Sequence, residues 1–271
     1  MDISHHLTFA EKIKLLFLTD ERITGLAVGG SWISNELDEF SDLDFYIVLD
    51  ADLENLNFDK KKEIIAGAGK LVSCYVNAHD NNVMTTLFDL YPQLLHVDFK
   101  WIYPIGFHDR VEDPEILIDK KGILKQIIFQ FPSKGYPVPD LQWHESRFWT
   151  WIHYILAKIG RGEILESINY LDEVRSCCIG PILLNKNNLP PRRLRRAEKL
   201  PENEYNLLLN TFPLFRSADA CYEATMKMVE LHKYLIAVMA KDGFVRSFEA
   251  EIACLKYAAY VKNNFLSKKN N

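Results

Sequence analysis

Apolar and polar positions follow two different periods along this chain. Over residues 7–18, Phe9, Ile13, Leu16 and Phe17 recur at helical spacing, with Thr8 as N-cap and Glu11 three residues on. The apolar run 23–28 then predicts a strand that stops at Gly29-Gly30. Leu43, Phe45 and Ile47 alternate with Asp42, Asp44 and Tyr46, the period of a half-buried strand carrying two carboxylates on one face. A helix over 59–67 and short strands over 71–76 and 83–87 follow. In the next strand Leu95, Val97, Phe99 and Trp101 oppose His96, Asp98 and Lys100. An edge strand over 116–119 and a helix over 120–131 lead to Pro132, Pro137 and Pro139, a linker. Beyond it only helical spacing recurs, over 141–159, 163–184, 202–211, 217–240 and 247–265. The expectation is an α+β chain: a mixed sheet with flanking helices in residues 1–135, then an all-helical bundle in 140–271. Residues 268–271 read as a disordered tail.

Composition narrows the class. With 48% hydrophobic and 25% charged residues, the chain is of globular type. Its apolar runs fall well short of the roughly 18 residues a membrane span needs, so no membrane partner is expected. Met1-Asp2-Ile3-Ser4-His5-His6 lacks a basic start and an apolar core of a secretion signal, which predicts a cytoplasmic protein. Five cysteines without CxxC spacing read as reduced, mostly buried small hydrophobes. Residues 1–140 hold 13 Lys and Arg against 23 Asp and Glu, whereas 141–271 hold 19 against 14. An acidic first half repels polyanions, which argues against a nucleic-acid partner but admits one triphosphate with its metals.

The chemistry concentrates around residues 27–46. Glycines at 29 and 30 let backbone approach a ligand closely, and Ser31 can open a short helix whose free N–H groups favour a phosphate. Asp42 and Asp44, about 7 Å apart along a strand, can grip two divalent ions. Gly67-Ala68-Gly69-Lys70 lacks the upstream glycine and the following Ser/Thr of a phosphate loop and is set aside.

The Gly29-Gly30-Ser31 turn with its Asp-x-Asp strand resembles the nucleotidyltransferase superfamily whose best-known member is DNA polymerase beta. Residues 147–184, with Trp149-x-Trp151 and Gly160-Arg161-Gly162-Glu163, are similar in layout to the C-terminal domain of lincosamide nucleotidyltransferases, and more distantly to enzymes that modify aminoglycosides. The resemblance implies Gly30 and Ser31 at the nucleotide, Asp42 and Asp44 as Mg²⁺ ligands, and Asp98 as third ligand or as base toward the acceptor hydroxyl. It implies transfer of a nucleoside monophosphate from ATP or GTP to a small-molecule hydroxyl, a lincosamide before an aminoglycoside. A catalytically silent nucleotide-binding or regulatory module is the alternative, and transfer onto protein a third reading. The oligomeric state stays open, a homodimer included.

Other features carry two readings each. Arg192, Arg193, Arg195, Arg196 and Lys199 are either a solvated cluster or a clamp on the triphosphate or pyrophosphate. Arg147 and His153 match a loose helical-nuclease spacing, but the tryptophans around them favour packing. Trp143, Phe148, Trp149, Trp151 and Tyr154 read as bundle core, with one or two lining a pocket. His144 and Glu145 stand just before that run, and nothing in the sequence selects them for a cleft.

Overall fold

A computed structural model describes residues 2–50 and 56–266. Compact packing divides the chain into residues 1–135 and 136–271. In the first unit the order is α1 (Ser4–Leu18), β1 (Ile23–Val28), β2 (Leu43–Leu49), α2 (Phe58–Ala66), β3 (Lys70–Val76), β4 (Val83–Leu90), β5 (Gln93–Ile102), β6 (Glu115–Asp119) and α3 (Ile123–Gln130). The strands form one open sheet in the order β3-β4-β5-β2-β1-β6. Every neighbouring pair is antiparallel except β2 with β5, so the sheet is mixed, as expected.

Alternation decides which face each strand residue serves. Leu43, Phe45, Ile47, Val97, Phe99 and Trp101 join Phe9, Ile13 and Phe17 of α1 in the main core. On the opposite face a smaller core, Ala27, Val48, Ile102 and Phe107 with Leu124 and Ile127 of α3, covers one end of the sheet. Buried Arg110 ties this second layer together. Its guanidinium donates to the carbonyls of Phe107 (3.2 Å) and Phe131 (2.5 Å) and to Asp113 Oδ1 (2.7 Å).

Two helix starts differ from expectation. α1 begins at Ser4, with Ile3 rather than Thr8 at its cap. The extra turn buries His6, whose Nε2 lies 2.8 Å from the Ser41 carbonyl oxygen. α3 starts at Ile123 because Gly122 sits at φ +70°. The Asp119 carboxylate there accepts from the N–H groups of Leu124 (3.3 Å) and Lys125 (3.0 Å), satisfying donors at the helix start.

The second unit is helical throughout its regular structure: α4 (Leu141–Gly160), α5 (Ile164–Val174), α6 (Gly180–Lys186), α7 (Glu202–Leu209), α8 (Ala218–Met239) and α9 (Phe248–Val261). The helix expected over 163–184 is interrupted by a π-helical turn, Arg175–Ile179. Pro181 explains the break. It has no N–H for the carbonyl four residues back, and its ring crowds that carbonyl. The Gly180 N–H bonds instead to the Arg175 carbonyl, five residues back. Phe148 and Trp149 enter the core, as expected. His144 and Glu145, which the sequence did not assign to the core, are buried as well. Residues 268–271 lie outside the described residues.

Candidate functional site

The parallel pairing of β2 with β5 places Asp44 directly beside Asp98. Adjacent strands run about 4.8 Å apart, and in-register parallel residues point to the same face. Leu43, Phe45, Val97 and Phe99 take the core face, so Asp44 and Asp98 share the other one. Antiparallel β4 puts buried Thr85 opposite Asp98 on the far side. On the near side the Gly29 N–H donates to the Asp44 carbonyl at 2.9 Å. A row across the sheet thus runs Thr85, Asp98, Asp44 and then the glycine turn. Asp42, expected on the strand with Asp44, lies instead in the loop that enters β2, half-buried, so the two carboxylates do not share a strand face.

The turn is built for close approach. Gly30 begins a 3-10 turn, Gly30–Trp32, with φ at +64°. A Cβ on Gly30 would meet Asp44 Oδ2 at 2.2 Å, so the missing side chain is what lets the carboxylate sit there. Ser31 is buried, and its Oγ finds no hydrogen-bond partner among the described residues. Nor does buried Asp98 Oδ1. His96 Nε2 is the nearest cation candidate at 3.4 Å, too poorly aligned to hydrogen bond. Lys100, two residues on along the same strand face, pairs with Asp80 at 3.0 Å.

One participant was invisible in the sequence. Glu112, in the loop before β6, accepts the Gly30 N–H through Oε1 at 3.1 Å. The donor expected to face a phosphate therefore faces a carboxylate of the same chain. No local pattern marks Glu112, since a loop carboxylate acquires its role only when β6 pairs beside β1. Trp32 is fixed in the same way, its Nε1 donating to Glu115 Oε2 at 2.7 Å.

Asp42, Asp44 and Asp98 supply hard oxygen donors of the kind Mg²⁺ takes. Among the described residues no three His, Cys, Asp or Glu side chains gather closely enough to hold a metal ion. Mutually repelling carboxylates have no reason to converge without a cation between them.

The other candidates separate. Arg192 bonds Tyr136 Oη at 3.2 Å and Arg193 bonds Ser176 Oγ at 3.1 Å, both within the second unit. Arg193 and Arg196 hold positive φ, 53° and 65°. Arg147 lies over the Trp143 ring and His153 over Tyr257, so the two do not share a site. No helix among the described residues is long and apolar enough to cross a membrane. Of the five cysteines, Cys178, Cys221 and Cys254 are buried, Cys74 is half-buried and Cys177 exposed, all with free thiols. Compared with known proteins, the chain matches no family model and no curated sequence.

Proposed function

We propose that this chain is a nucleotidyltransferase related to the DNA polymerase beta-like superfamily, using Mg²⁺ to move a nucleoside monophosphate from ATP or GTP to a hydroxyl of a small molecule. The carrying observation is the Asp44–Asp98 register beside a glycine turn shaped around the Asp44 carboxylate. A lincosamide is the first acceptor to test and an aminoglycoside the second, on the resemblance of the helical half.

The residues fit such a group. Leaving Ser31 Oγ buried without a hydrogen-bond partner costs about 1–3 kcal/mol, and Asp98 Oδ1 makes no hydrogen bond, with only His96 Nε2 at 3.4 Å beside it. A phosphate oxygen and a cation are the ligands that would satisfy them. Asp42, Asp44 and Asp98 would hold Mg²⁺, which supplies charge neutralisation at the triphosphate. Ser31 Oγ–H would donate to a phosphate oxygen, and the Gly30 N–H would do so once released by Glu112. Asp98 would serve as ligand or base; as base it would accept the acceptor's hydroxyl proton. The acceptor oxygen then bonds to the α-phosphorus while the bond to pyrophosphate breaks.

Purified protein with ATP or GTP and Mg²⁺ should release pyrophosphate only when a hydroxylated acceptor is added, and the acceptor should gain the mass of one nucleoside monophosphate. A panel of lincosamides and aminoglycosides tests this. Nucleotidylation of a protein with the panel untouched would move the reading to protein modification. A non-catalytic nucleotide-binding module is the second reading, favoured by the ungathered carboxylates. It predicts triphosphate binding without pyrophosphate release for any acceptor.

A further inference from the structure

The helical unit contains a cleft of about 390 Å³ between α4 and α5, within the range of small-molecule sites. α4 contributes Trp143, Trp151 and Tyr154, spaced so that they fall along one stripe of the helix. α5 contributes Tyr170 and Glu173, and the π-helical turn contributes Cys177. The rings are organised rather than scattered. Trp143 and Trp151 lie 5.8 Å apart, centroid to centroid, and Tyr154 and Tyr170 lie 4.2 Å apart. Trp143 remains 45% exposed, an unusual cost for the largest apolar side chain.

Three observations set the chemistry of an occupant. The lining is mostly apolar and aromatic, and electron-rich ring faces attract cations. The chain's own cations already use such faces at the ends of the stripe: Arg147 Cζ lies 4.2 Å from the Trp143 centroid and Lys158 Nζ 5.0 Å from that of Tyr154. Glu173 adds a carboxylate that receives no hydrogen bond or ion pair among the described residues. Lys158, by contrast, is already neutralised by Glu163 at 2.6 Å.

The π-helical turn supplies the third wall. Regular helix fails there because of Pro181, and π turns inside helices concentrate at functional sites. The turn is held from behind. Buried Arg175 donates to Thr211 Oγ1 (2.8 Å) and to the Thr211 carbonyl (2.6 Å). Gly180 is pressed so closely that a Cβ would meet the Arg193 carbonyl oxygen at 2.5 Å.

We infer that this cleft binds a small organic cation, an amine with an apolar or cyclic body, its charge against the tryptophan and tyrosine faces and Glu173. The inference does not depend on the carboxylates of the first unit, so it stands or falls separately from nucleotidyl transfer.

Calorimetric titration of the full chain with benzyltrimethylammonium, and with benzylsulfonate as a charge-inverted match, tests it. The ammonium should bind, with the sulfonate at least tenfold weaker. Glu173→Gln should weaken the ammonium at least fivefold while leaving the thermal midpoint unchanged, because the exposed carboxylate supports no fold contact. Trp151→Phe should weaken it less than Glu173→Gln, since a ring face is retained. Equal binding of the two probes, no heat from the ammonium up to about 10 mM, or an unaltered Kd in Glu173→Gln would each overturn the inference.

Discussion

At Gly30 the backbone turns with φ +64°, and the space a Cβ would need belongs to an Asp44 oxygen 2.2 Å away. Nothing in the letters Gly-Gly distinguishes the glycine that must be glycine from its neighbour. Gly29 is extended, and a side chain there would meet the Tyr46 ring at 3.3 Å and Glu112 Oε1 at 4.0 Å. Asp44 and Asp98 were legible as strand residues, whereas Asp42 falls just ahead of its strand, and the partnership of Asp44 with Asp98 was not legible because it depends on which strands pair. Asp44→Asn or Asp98→Asn should lower transfer by about 10²–10⁴ with the fold retained, measured as pyrophosphate release at saturating acceptor. Activity within about tenfold of the parent, roughly 1.4 kcal/mol in barrier, would remove the residue from the mechanism. Glu112 makes an opposite prediction. Its carboxylate occupies the Gly30 N–H that a phosphate would use. Glu112→Gln should therefore tighten triphosphate binding, by up to about tenfold or 1.4 kcal/mol. Weaker binding would mean that Glu112 helps to hold the nucleotide.

Elements were read from periodicity wherever a local pattern sufficed: the β2 and β5 alternation, or Ser217, whose Oγ accepts the Ala220 N–H at 3.2 Å and starts α8. The break between α5 and α6 escaped, because Pro181 acts on a carbonyl one turn earlier while leaving the apolar spacing intact. Burial of a polar cluster escaped too. In the core of the helical unit Glu145 Oε2 lies 2.8 Å from His232 Nε2, and Oε1 accepts from the Ser247 N–H at 2.8 Å and Trp149 Nε1 at 3.3 Å. Burial opposes ionisation of Glu145, and the hydrogen bonds led by His232 outweigh it, holding its pKa at about 2. Burial pushes both His232 and His144 below the ordinary histidine range. Asp140 and Arg147 act on His144, and Arg246 and Glu251 on His232. The histidine contributions are complete above the unfolded value near 6.5 and fade as pH falls below it, because only the unfolded chain then takes up the protons. The Glu145 contribution is complete above about 4.5 and is lost as pH falls toward 2. Urea midpoints of the whole chain should therefore drop between pH 7 and pH 5, and a flat or rising midpoint would contradict neutral, buried imidazoles. Glu145→Ala should destabilise the chain at pH 7 by about 1–3 kcal/mol for each buried donor it strands.

At the scale of the whole chain, each unit closes its own core: one helical cluster, and two clusters on opposite faces of the sheet. The proline-rich segment between them forms no helix or strand. Lys134 stands there with its side chain 67% exposed. Limited trypsin digestion should cut first at Lys134 and yield two resistant pieces of nearly equal length, read by mass; initial cleavage inside α4 or the sheet would contradict the division. The split in charge follows the same boundary, although the sequence showed the imbalance without showing what it surrounds. The register of β5 has a consequence for how such a chain tolerates change in length. Asp98 is reached from Asp44 through α2 and the β3–β4 hairpin, and the loop at residues 77–82 can gain or lose a residue without moving either aspartate. A single deletion between residues 93 and 97 has no such outlet. β5 is clasped by β4 on one side and β2 on the other, so the strand would shift by one place. Phe99 would then stand beside Asp44, and Asp98 would turn into the layer beneath α1. Insertions and deletions recovered from a random library should accordingly crowd into the hairpin loop and leave the five residues ahead of Asp98 untouched.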